Sequence, residues 1–282
     1  MRIELAGKPI VITGASSGIG AATAVACGAA GMPVVLGARR VEKLADVVKR
    51  IEAAGGKACA LATDVTSEAQ CAALVDEAVR RYGWVYAAYA NAGYGEERSM
   101  EEMGDDRLRA IFETNFFGTM NLIRPAAAAM KKNPRGKDGE RGHILICSSC
   151  LAKFAVPFFG AYSATKSAQA HVGRAMRYEL GPEGVQVSTV HPIGTRTELF
   201  DKMAEISGPS KLGANTPEHL SQSSEFVAEC TVRCLHRPRA EVWTGAIGGL
   251  VRVGMSLGTM MPNLSDWALR NMLARKMRAA RK

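Results

Sequence analysis

Short apolar runs rich in β-branched residues alternate with longer amphipathic or alanine-rich stretches along the chain. Runs such as PVVLGA and HILIC are apolar at nearly every position, which is typical of strands buried on both faces. Seven runs are predicted to be strands: Pro9–Thr13, Pro33–Ala38, Lys57–Thr63, Trp84–Ala90, His143–Ser148, Val185–Val190 and Glu241–Thr244. Six stretches are predicted to be helices: 18–31, 41–54, 67–82, 105–132, 161–181 and 217–236.

This alternation predicts an α/β fold, with a parallel sheet, right-handed crossovers and helices on both faces. No internal repeat and no linker divides the sequence. Residues 131–142 are polar and rich in Gly and Pro, which indicates a solvated loop. Residues 197–222 follow the sixth strand, where segments shape the ligand crevice of an open α/β sheet, so we interpret them as a substrate lid.

The stretch TGASSGIG lies between the first predicted strand and the first predicted helix, with Gly14, Gly18 and Gly20 spaced as G-x-x-x-G-x-G. Glycine lets the backbone turn tightly and approach a ligand closely. Because the N–H groups of a helix start favour a pyrophosphate, the stretch predicts a dinucleotide site. The alternative is a tight strand-to-helix turn, which any α/β protein can contain.

The second strand ends in LGARR, where an NAD site usually has a carboxylate for the ribose 2′-hydroxyl. Here Ala38 is followed by Arg39 and Arg40. A guanidinium can bind a 2′-phosphate with two charge-assisted hydrogen bonds, so the stretch favours NADP(H) over NAD(H). The alternative is a pair of solvated arginines at a helix start.

In YSATK, Tyr162 and Lys166 are four positions apart and share one face of a predicted helix. An ammonium, helped by an oxidised nicotinamide, favours the phenolate and lowers the pKa of the phenol, which suits tyrosine to proton exchange. Alone, such a pair is common on surface helices. Ser149 at the end of the fifth strand, Asn91 after the fourth and Asn115 within a helix supply further polar groups.

Taken together, TGASSGIG, TDV, NAG, Asn115, Ser149 and Tyr162 with Lys166 resemble the short-chain dehydrogenase/reductase family, in the family's order from about residue 8 to 197. The resemblance implies a single Rossmann-type domain over residues 1–250, with a doubly wound, seven-stranded parallel sheet. It also implies the catalytic roles. Tyr162 exchanges the proton, Ser149 hydrogen-bonds the substrate oxygen, Lys166 holds the nicotinamide ribose, and Asn115 supports a water relay.

The resemblance further implies where the cofactor binds. Asp64 and the Val65 backbone should contact the adenine, and Asn91 and Gly93 should shape the cofactor wall. The family commonly has Pro-Gly and then Val or Ile after the sixth strand, whereas HPIGTRTEL has Ile193 and Thr195 at those places. The expected contacts are Gly14, Ser16, Ser17, Gly18, Ile19, Gly20, Arg39, Arg40, Asp64, Val65, Asn91, Ala92, Gly93, Tyr162, Lys166, Pro192, Ile193, Thr195 and Thr197.

Cys147 and Cys150 in ICSSC form a C-x-x-C, which suggests either a dithiol redox pair or half a metal site. A redox pair favours a first thiol at a helix N-terminus, where the dipole lowers its pKa. Cys147 instead ends an apolar strand, and no second ligand pair stands at zinc-like spacing. We therefore predict a buried core thiol and no metal.

The 282 residues are 47% hydrophobic and 22% charged, with a formal net charge of +9. From Trp267 to the C-terminus there are six basic residues and no acid, so the excess charge is concentrated there. A uniformly basic nucleic-acid-binding protein would look different, and no nucleic-acid partner is expected. The N-terminus has no signal pattern, and the seven cysteines have no small-domain spacing, which together predict a cytoplasmic protein with reduced thiols.

Residues 251–282 are predicted to form a basic amphipathic helical extension, with its apolar stripe over 264–280. Such a helix can lie on an anionic membrane surface. The alternative is that the stripe docks on the substrate mouth or on a sister subunit. A membrane span over Val242–Met261 is rejected, because Arg252 lies near its middle.

These features predict an NADP(H)-dependent oxidoreductase that interconverts a ketone or aldehyde and an alcohol. The substrate is expected to be an apolar small-molecule carbonyl compound or alcohol, with Phe154, Phe158 and Phe159 lining its pocket. The resemblance suggests a homodimer or homotetramer built on the helices near 105–132 and 161–181. The alternative function is a non-catalytic NADPH-binding sensor or membrane-associated interaction protein on the same fold, which need not keep Ser149, Tyr162 and Lys166 together.

Overall fold

The computed structural model of the protein describes residues 2–208, 221–245 and 248–261, together with positions 263, 266, 267, 270 and 271. Its sheet has seven strands, all parallel, in the order β3-β2-β1-β4-β5-β6-β7. The predicted doubly wound, seven-stranded α/β fold is therefore confirmed. The strands are β1 Ile10–Thr13, β2 Val34–Ala38, β3 Ala58–Ala62, β4 Ala87–Ala90, β5 Gly142–Cys147, β6 Val185–His191 and β7 Glu241–Trp243.

Helices cover both faces of this sheet, because the side chains of a strand alternate between the faces. Ile10 and Ile12 of β1 pack with one set of helices and Val11 packs with the other. The first set is α1 Gly18–Ala29, α2 Val41–Ala53 and α8 Ser224–His236. The second set is α3 Glu68–Tyr82, α5 Gly118–Met130 and α6 Gly160–Leu180.

The helix predicted near 105–132 is confirmed over Asp105–Met130, with one irregularity near its middle. It is divided into α4 Asp105–Phe112, a π-helical turn Glu113–Phe117, and α5. Asn115 lies in this turn, and its carbonyl accepts hydrogen bonds from the Thr119 hydroxyl at 2.8 Å and from Gln169 Nε2 at 2.6 Å. Such single π-turns are frequent at functional sites, since they redirect side chains within a helix.

The chain after β6 departs furthest from the predicted elements. The predicted lid contains a helix, α7 Glu198–Ser207, while residues 209–220 lie outside the described residues. The helix predicted to start at 217 begins at Ser224, because the Ser223 side chain caps it by accepting from the Phe226 amide at 3.1 Å.

Helix α9, Gly248–Met260, runs across the boundary predicted at residue 250. The apolar stripe predicted over 264–280 lies almost entirely outside the described residues. Among the residues that are described, no helix is both long and apolar enough to cross a bilayer.

The strand order reverses between β1 and β4, which are neighbours in the sheet although β2 and β3 come between them in sequence. In doubly wound sheets, ligands bind at such a reversal, outside the carboxyl ends of the strands. The glycine turn follows β1, the NAG stretch follows β4 and Ser149 follows β5. The fold thus brings three of the predicted motifs to one edge of the sheet.

Candidate active site

The glycine turn packs against the loop after β4 with no room for side chains. Gly14 and Gly18 have positive φ angles of 65° and 54°. A Cβ on Gly20 would lie 2.3 Å from the Gly14 oxygen and 2.5 Å from Asn91 Nδ2, so only glycine fits there. Asn91 fixes the turn by donating from Nδ2 to the carbonyls of Thr13 and Gly14, at 3.1 and 3.3 Å.

The start of α1 fits a cofactor pyrophosphate. Ser17 is the N-cap, yet its side chain accepts no hydrogen bond from the first turn of the helix. The hydroxyls of Ser16 and Ser17 instead accept from Arg40, at 3.1 and 2.8 Å. Amide groups at a helix start that no side chain caps favour an anion, and Ser16, Ser17 and Gly18 line an adjoining cavity of about 330 Å³.

The arginines after β2 have different surroundings. Arg39 is exposed, whereas Arg40 reaches both the glycine turn and the Glu198 carboxylate, at 2.9 Å. At the end of β3, the Asp64 carboxylate accepts from the amide and hydroxyl of Thr66, at 3.0 and 2.8 Å. The Thr66 amide is the main reason that the pKa of Asp64 is lowered. Val65 is buried beside it.

The two serines after β5 have different partners. The Ser148 hydroxyl donates to the Lys166 carbonyl at 2.8 Å, so this side chain joins β5 to α6. The Ser149 hydroxyl accepts from the Leu151 amide at 3.2 Å and interacts with Tyr162, where it acts to lower the pKa of the phenol. Ser149 therefore belongs to the polar site and Ser148 to its support.

Tyr162 and Lys166 lie on α6, with Lys166 Nζ 5.6 Å from the centroid of the tyrosine ring. The ammonium donates to the Cys147 carbonyl at 2.8 Å, and only 4% of the residue is exposed. Burial is the largest influence on both groups, raising the pKa of Tyr162 and lowering that of Lys166. In the chain alone, burial thus outweighs the lowering of the tyrosine pKa that the sequence predicted.

Asn115 connects the π-turn to the loop after β4 and to α6. Its Oδ1 accepts from the Tyr94 amide at 2.9 Å, and its Nδ2 donates to the Tyr94 carbonyl and the Thr165 hydroxyl, at 2.9 and 3.0 Å. The residue is fully buried. A Cβ on Gly93 would lie 2.9 Å from Asn115 Oδ1 and 3.6 Å from Lys166 Nζ, so the NAG stretch, Asn115 and Lys166 meet at one place.

Comparison with known proteins agrees with this geometry. Residues 8–207 match the family model described as short chain dehydrogenase. The chain is 31% identical over 233 residues to the 7alpha-hydroxysteroid dehydrogenase of Escherichia coli, a match covering 82% of this chain and 89% of that protein. The chain belongs to the short-chain dehydrogenase family.

Solved structures agree with that assignment. A short chain dehydrogenase/reductase from Burkholderia phymatum in complex with NAD superposes with a TM-score of 0.78 at 27% identity, covering 89% of this chain and 93% of that one. A short chain dehydrogenase from Burkholderia cenocepacia in complex with NADP gives a TM-score of 0.72 at 26% identity, covering 83% and 92%. The protein is accordingly an oxidoreductase of this family that acts on CH–OH or C=O groups.

The departure after β6 has a structural compensation in this short-chain dehydrogenase. Ile193 takes the place of the family's glycine, and the next residue, Gly194, has a φ of 48°. Gln222 Nε2 donates to the Ile193 carbonyl at 2.8 Å and to the Thr195 hydroxyl at 3.2 Å, and the two segments form a β-bridge. The Thr195 side chain is therefore engaged within the protein, and Thr195 stays only a predicted cofactor contact.

His191 is a site residue that the sequence did not predict. Its Nδ1 lies 3.0 Å from the Ser149 carbonyl, which can only accept, so Nδ1 carries the proton. Its Nε2 then accepts from the Thr189 hydroxyl at 3.0 Å, and the ring stacks on Trp243 with centroids 4.8 Å apart. Burial lowers the pKa of His191, which keeps the ring neutral and suited to positioning the Ser149 backbone.

Helix α7 covers the tyrosine end of this short-chain dehydrogenase site. A Cβ on Gly95 would lie 2.9 Å from Met203 Sδ and 3.5 Å from the Tyr162 ring, so these three residues meet. The Ser207 hydroxyl accepts from the Glu97 amide at 2.9 Å and fixes the other end of the helix. The sequence predicted a lid here, but its spacing gave no signal for Met203 in particular.

The C-x-x-C cysteines lie in the protein interior. Cys147 and Cys150 are both buried free thiols. Burial is the main reason that the pKa values of both are raised, whereas a nucleophilic or metal-binding thiolate needs a lowered one. Cys147 packs in the core on the side of the sheet that α1, α2 and α8 cover, as the sequence predicted.

Proposed function

We propose that this protein is an NADP(H)-dependent oxidoreductase that interconverts a ketone or aldehyde and the corresponding alcohol. The observation that carries the proposal is the meeting of Ser149, Tyr162 and Lys166 beside the glycine turn, at the point where the strand order reverses. The nicotinamide cofactor, when bound, supplies or accepts the hydride.

In the direction of carbonyl reduction, the Tyr162 hydroxyl donates a proton to the oxygen of the substrate. Burial raises the pKa of Tyr162, which keeps this proton on the phenol before its transfer to the substrate oxygen. The Ser149 hydroxyl hydrogen-bonds the same oxygen as negative charge develops on it. Lys166, held by the Cys147 carbonyl, keeps a positive charge near the phenol and stabilises the phenolate that remains.

The surroundings of the second strand support a preference for the 2′-phosphate of NADP(H). Arg39 is exposed beyond the end of β2, and Arg40 lies over the two serines of the glycine turn. Lys43 adds a third cation one helical turn further on. We propose that these three side chains hold the 2′-phosphate, and that Asp64 and the Val65 backbone contact the adenine.

We further propose an apolar substrate. Met203 is buried and meets the Tyr162 ring at Gly95. Phe159 is buried at the start of α6, three residues before Tyr162, and Phe154 and Phe158 are half-buried in the segment before it. The E. coli relative is named as a dehydrogenase of a hydroxysteroid, which is a large apolar alcohol. A pocket lined with aromatic and thioether groups favours substrates of this kind.

Association with a second copy and with a membrane are further parts of the proposal. Exposed Phe117 adjoins a cavity of about 450 Å³ on the α4–α5 face, which supports a homodimer or homotetramer. The exposed Leu250, Val253 and Leu257 lie three to four residues apart on α9, ahead of the basic C-terminal stretch, which supports peripheral contact with an anionic membrane. The buried free thiols suit a cytoplasmic setting.

A panel of apolar ketones and aldehydes with NADPH or NADH, followed by loss of reduced-nicotinamide absorbance, tests the proposal. We expect turnover of at least one substrate class, faster with NADPH at equal low concentration. Retained cofactor binding without turnover of any class, and with Tyr162→Phe behaving as wild type, would instead favour a non-catalytic sensor.

A further inference from the structure

A single carboxylate bridges two of the cations that would hold the 2′-phosphate. Glu198 Oε2 lies 2.9 Å from the Arg40 guanidinium, and its Oε1 lies 2.7 Å from Lys43 Nζ. The side chains of Glu198 and Lys43 are 39% and 42% exposed, and that of Arg40 is 30% exposed. The contact therefore lies at the solvent edge of the crevice, where a ligand can reach it.

The remaining hydrogen bonds of Arg40 point towards the cofactor cradle. Its second terminal nitrogen donates to Ser16 and Ser17, at 3.1 and 2.8 Å, so one guanidinium joins the glycine turn to Glu198. Thr197 directly precedes Glu198 in the chain. A Cβ on Gly18 would lie 3.2 Å from the Thr197 side chain. The start of α7 thus lies directly against the turn that is expected to bind phosphate.

Charge makes the carboxylate and a 2′-phosphate rivals for the same partners. Lys43 and Arg40 hold the pKa of Glu198 down to about 2, so the carboxylate is ionised at every pH at which the protein would be assayed. A phosphate dianion placed between the same two cations would be repelled by it. Exposed ion pairs are weak because solvent screens them, so the carboxylate is held weakly enough to be displaced.

The same residue is the first of α7, the helix whose Met203 lies beside Gly95 and Tyr162. Displacement of Glu198 would therefore loosen the contact between the cofactor cradle and the helix that covers the substrate side. Other charged groups around the adjoining cavity are Asp46, Arg50 and Glu225.

We propose that Glu198 is a specificity-determining residue that competes with the 2′-phosphate of the cofactor for Arg40 and Lys43, and that this phosphate releases the start of α7 when it takes the place of the carboxylate. The inference rests on the proposed preference for NADP(H). Glu198 lowers that preference, because the phosphate must displace the Glu198 carboxylate before it can bind Arg40 and Lys43.

Calorimetric binding of two cofactor fragments tests the competition without any turnover. The fragments are 2′,5′-ADP, which carries the 2′-phosphate, and 5′-AMP, which lacks it. Glu198→Gln should bind 2′,5′-ADP about three- to thirtyfold more tightly than wild type, the range expected from breaking two exposed ion pairs. Its affinity for 5′-AMP should stay within about twofold of the wild-type value.

Glu183→Gln is the matched control, since Glu183 is an exposed carboxylate paired with a lysine, Lys131, on another part of the surface. This variant should bind both fragments as wild type does. An unchanged 2′,5′-ADP affinity in Glu198→Gln, or an equal gain for both fragments, would overturn the inference.

Arg40→Gln and Lys43→Gln distinguish failure of this inference from failure of the cofactor proposal. If either variant weakens 2′,5′-ADP while Glu198→Gln does not strengthen it, the preference for NADP(H) stands and the competition is wrong. If neither variant weakens 2′,5′-ADP, the proposed 2′-phosphate site itself is wrong.

Hydrogen exchange measures the coupling to α7. Amides of Glu198–Ser207 should exchange faster with saturating 2′,5′-ADP than with saturating 5′-AMP in the wild type. In Glu198→Gln the two fragments should give the same exchange. Equal exchange with both fragments in the wild type would contradict the release of the helix.

Discussion

Two regions of the molecule supply the site in different ways: the carboxyl ends of β1 to β5 with the start of α6, and the chain that follows β6. The first region is buried and held mainly by hydrogen bonds to the backbone, as with Asn91 at Gly14 and Lys166 at Cys147. The second combines one β-bridge with contacts made by individual, less buried side chains, chiefly Gln222 and Glu198.

This difference separates reaction chemistry from selectivity. The proposed proton exchange needs Tyr162, Ser149 and Lys166 at fixed places, and the end of β5 and the start of α6 provide them. Substrate and cofactor choice can change through a few contacts in the second region without disturbing the first, because loops on a rigid scaffold tolerate such changes. Substitutions in the two regions should therefore produce effects of different size and kind.

Apart from substitution of Tyr162 itself, the largest effect is expected from Ser149→Ala in the first region. Removing one donor to a developing oxyanion lowers kcat by about 10²- to 10³-fold. Cofactor affinity should stay within about twofold, because the Ser149 hydroxyl faces Tyr162 rather than the glycine turn. Steady-state kinetics of carbonyl reduction measure the loss of kcat. Ser148 only supports the site, so Ser148→Ala should lower the melting temperature and leave kcat close to the wild-type value.

A comparably clear effect is expected from Gly20→Ala. The new Cβ would lie 2.3 Å from the Gly14 carbonyl oxygen, so the glycine turn must move. We expect a lowered melting temperature and a loss of NADPH affinity, measured by thermal unfolding and fluorescence titration. Gly254→Ala on α9 is the control, since a Cβ there meets nothing within 4 Å. If the two variants had the same melting temperature and the same NADPH affinity, the argument from the glycine turn would be wrong.

The decrease of the unfolding free energy in acid should depend on His143, which lies on β5 in the first region. Burial lowers the pKa of His143 to about 3, against about 6.5 in the unfolded chain. Between these pH values the unfolded chain therefore binds more protons than the folded protein. The part of the unfolding free energy that neutral His143 contributes is fully present above pH 6.5 and is lost as the pH falls towards 3. His191 acts in the same direction.

Urea unfolding at a series of pH values measures this loss. In His143→Gln, which keeps a polar partner for Ser188 but does not titrate, the decline of the unfolding free energy below pH 6.5 should be shallower than in wild type. A decline of equal slope in both proteins would show that His143 is not its source.

The smallest effect is expected from Gln222→Leu in the second region. The substitution leaves the Ile193 carbonyl and the Thr244 hydroxyl without their Gln222 donor, at a cost of about 1–3 kcal/mol in unfolding free energy. We expect KM for cofactor or substrate to rise more than kcat falls. A loss of kcat as large as that of Ser149→Ala would mean that the two regions are not separable in this way.

Most of the first region could be predicted from the sequence, because local pattern and local structure agree there. The glycine spacing, the apolar β5 run and the Tyr162–Lys166 spacing each depend on neighbours in sequence. The π-turn at Asn115 could not be predicted, since the Asn115 carbonyl is bound by Gln169, which lies 54 residues away in sequence and which only the fold brings close. Nor does any local pattern indicate that His191 meets the Ser149 carbonyl.

The second region was harder to predict because its contacts join distant parts of the chain. Glu198 is separated by 158 residues from Arg40, and Gln222 by 29 from Ile193. A glutamate and a glutamine in a polar, broken segment carry no signal for such partners. The place of the segment after a strand predicts a lid, but no pattern in it indicates the contacts that Glu198 and Gln222 make.

The central claim is that Tyr162 exchanges the proton with the substrate oxygen, and the rate of carbonyl reduction by Tyr162→Phe tests it most directly. On a ketone that the wild type reduces, with saturating NADPH, kcat should fall by about 10²- to 10⁴-fold while NADPH affinity stays within about twofold. A kcat within twofold of the wild-type value, with the variant folded and binding cofactor, would contradict the claim.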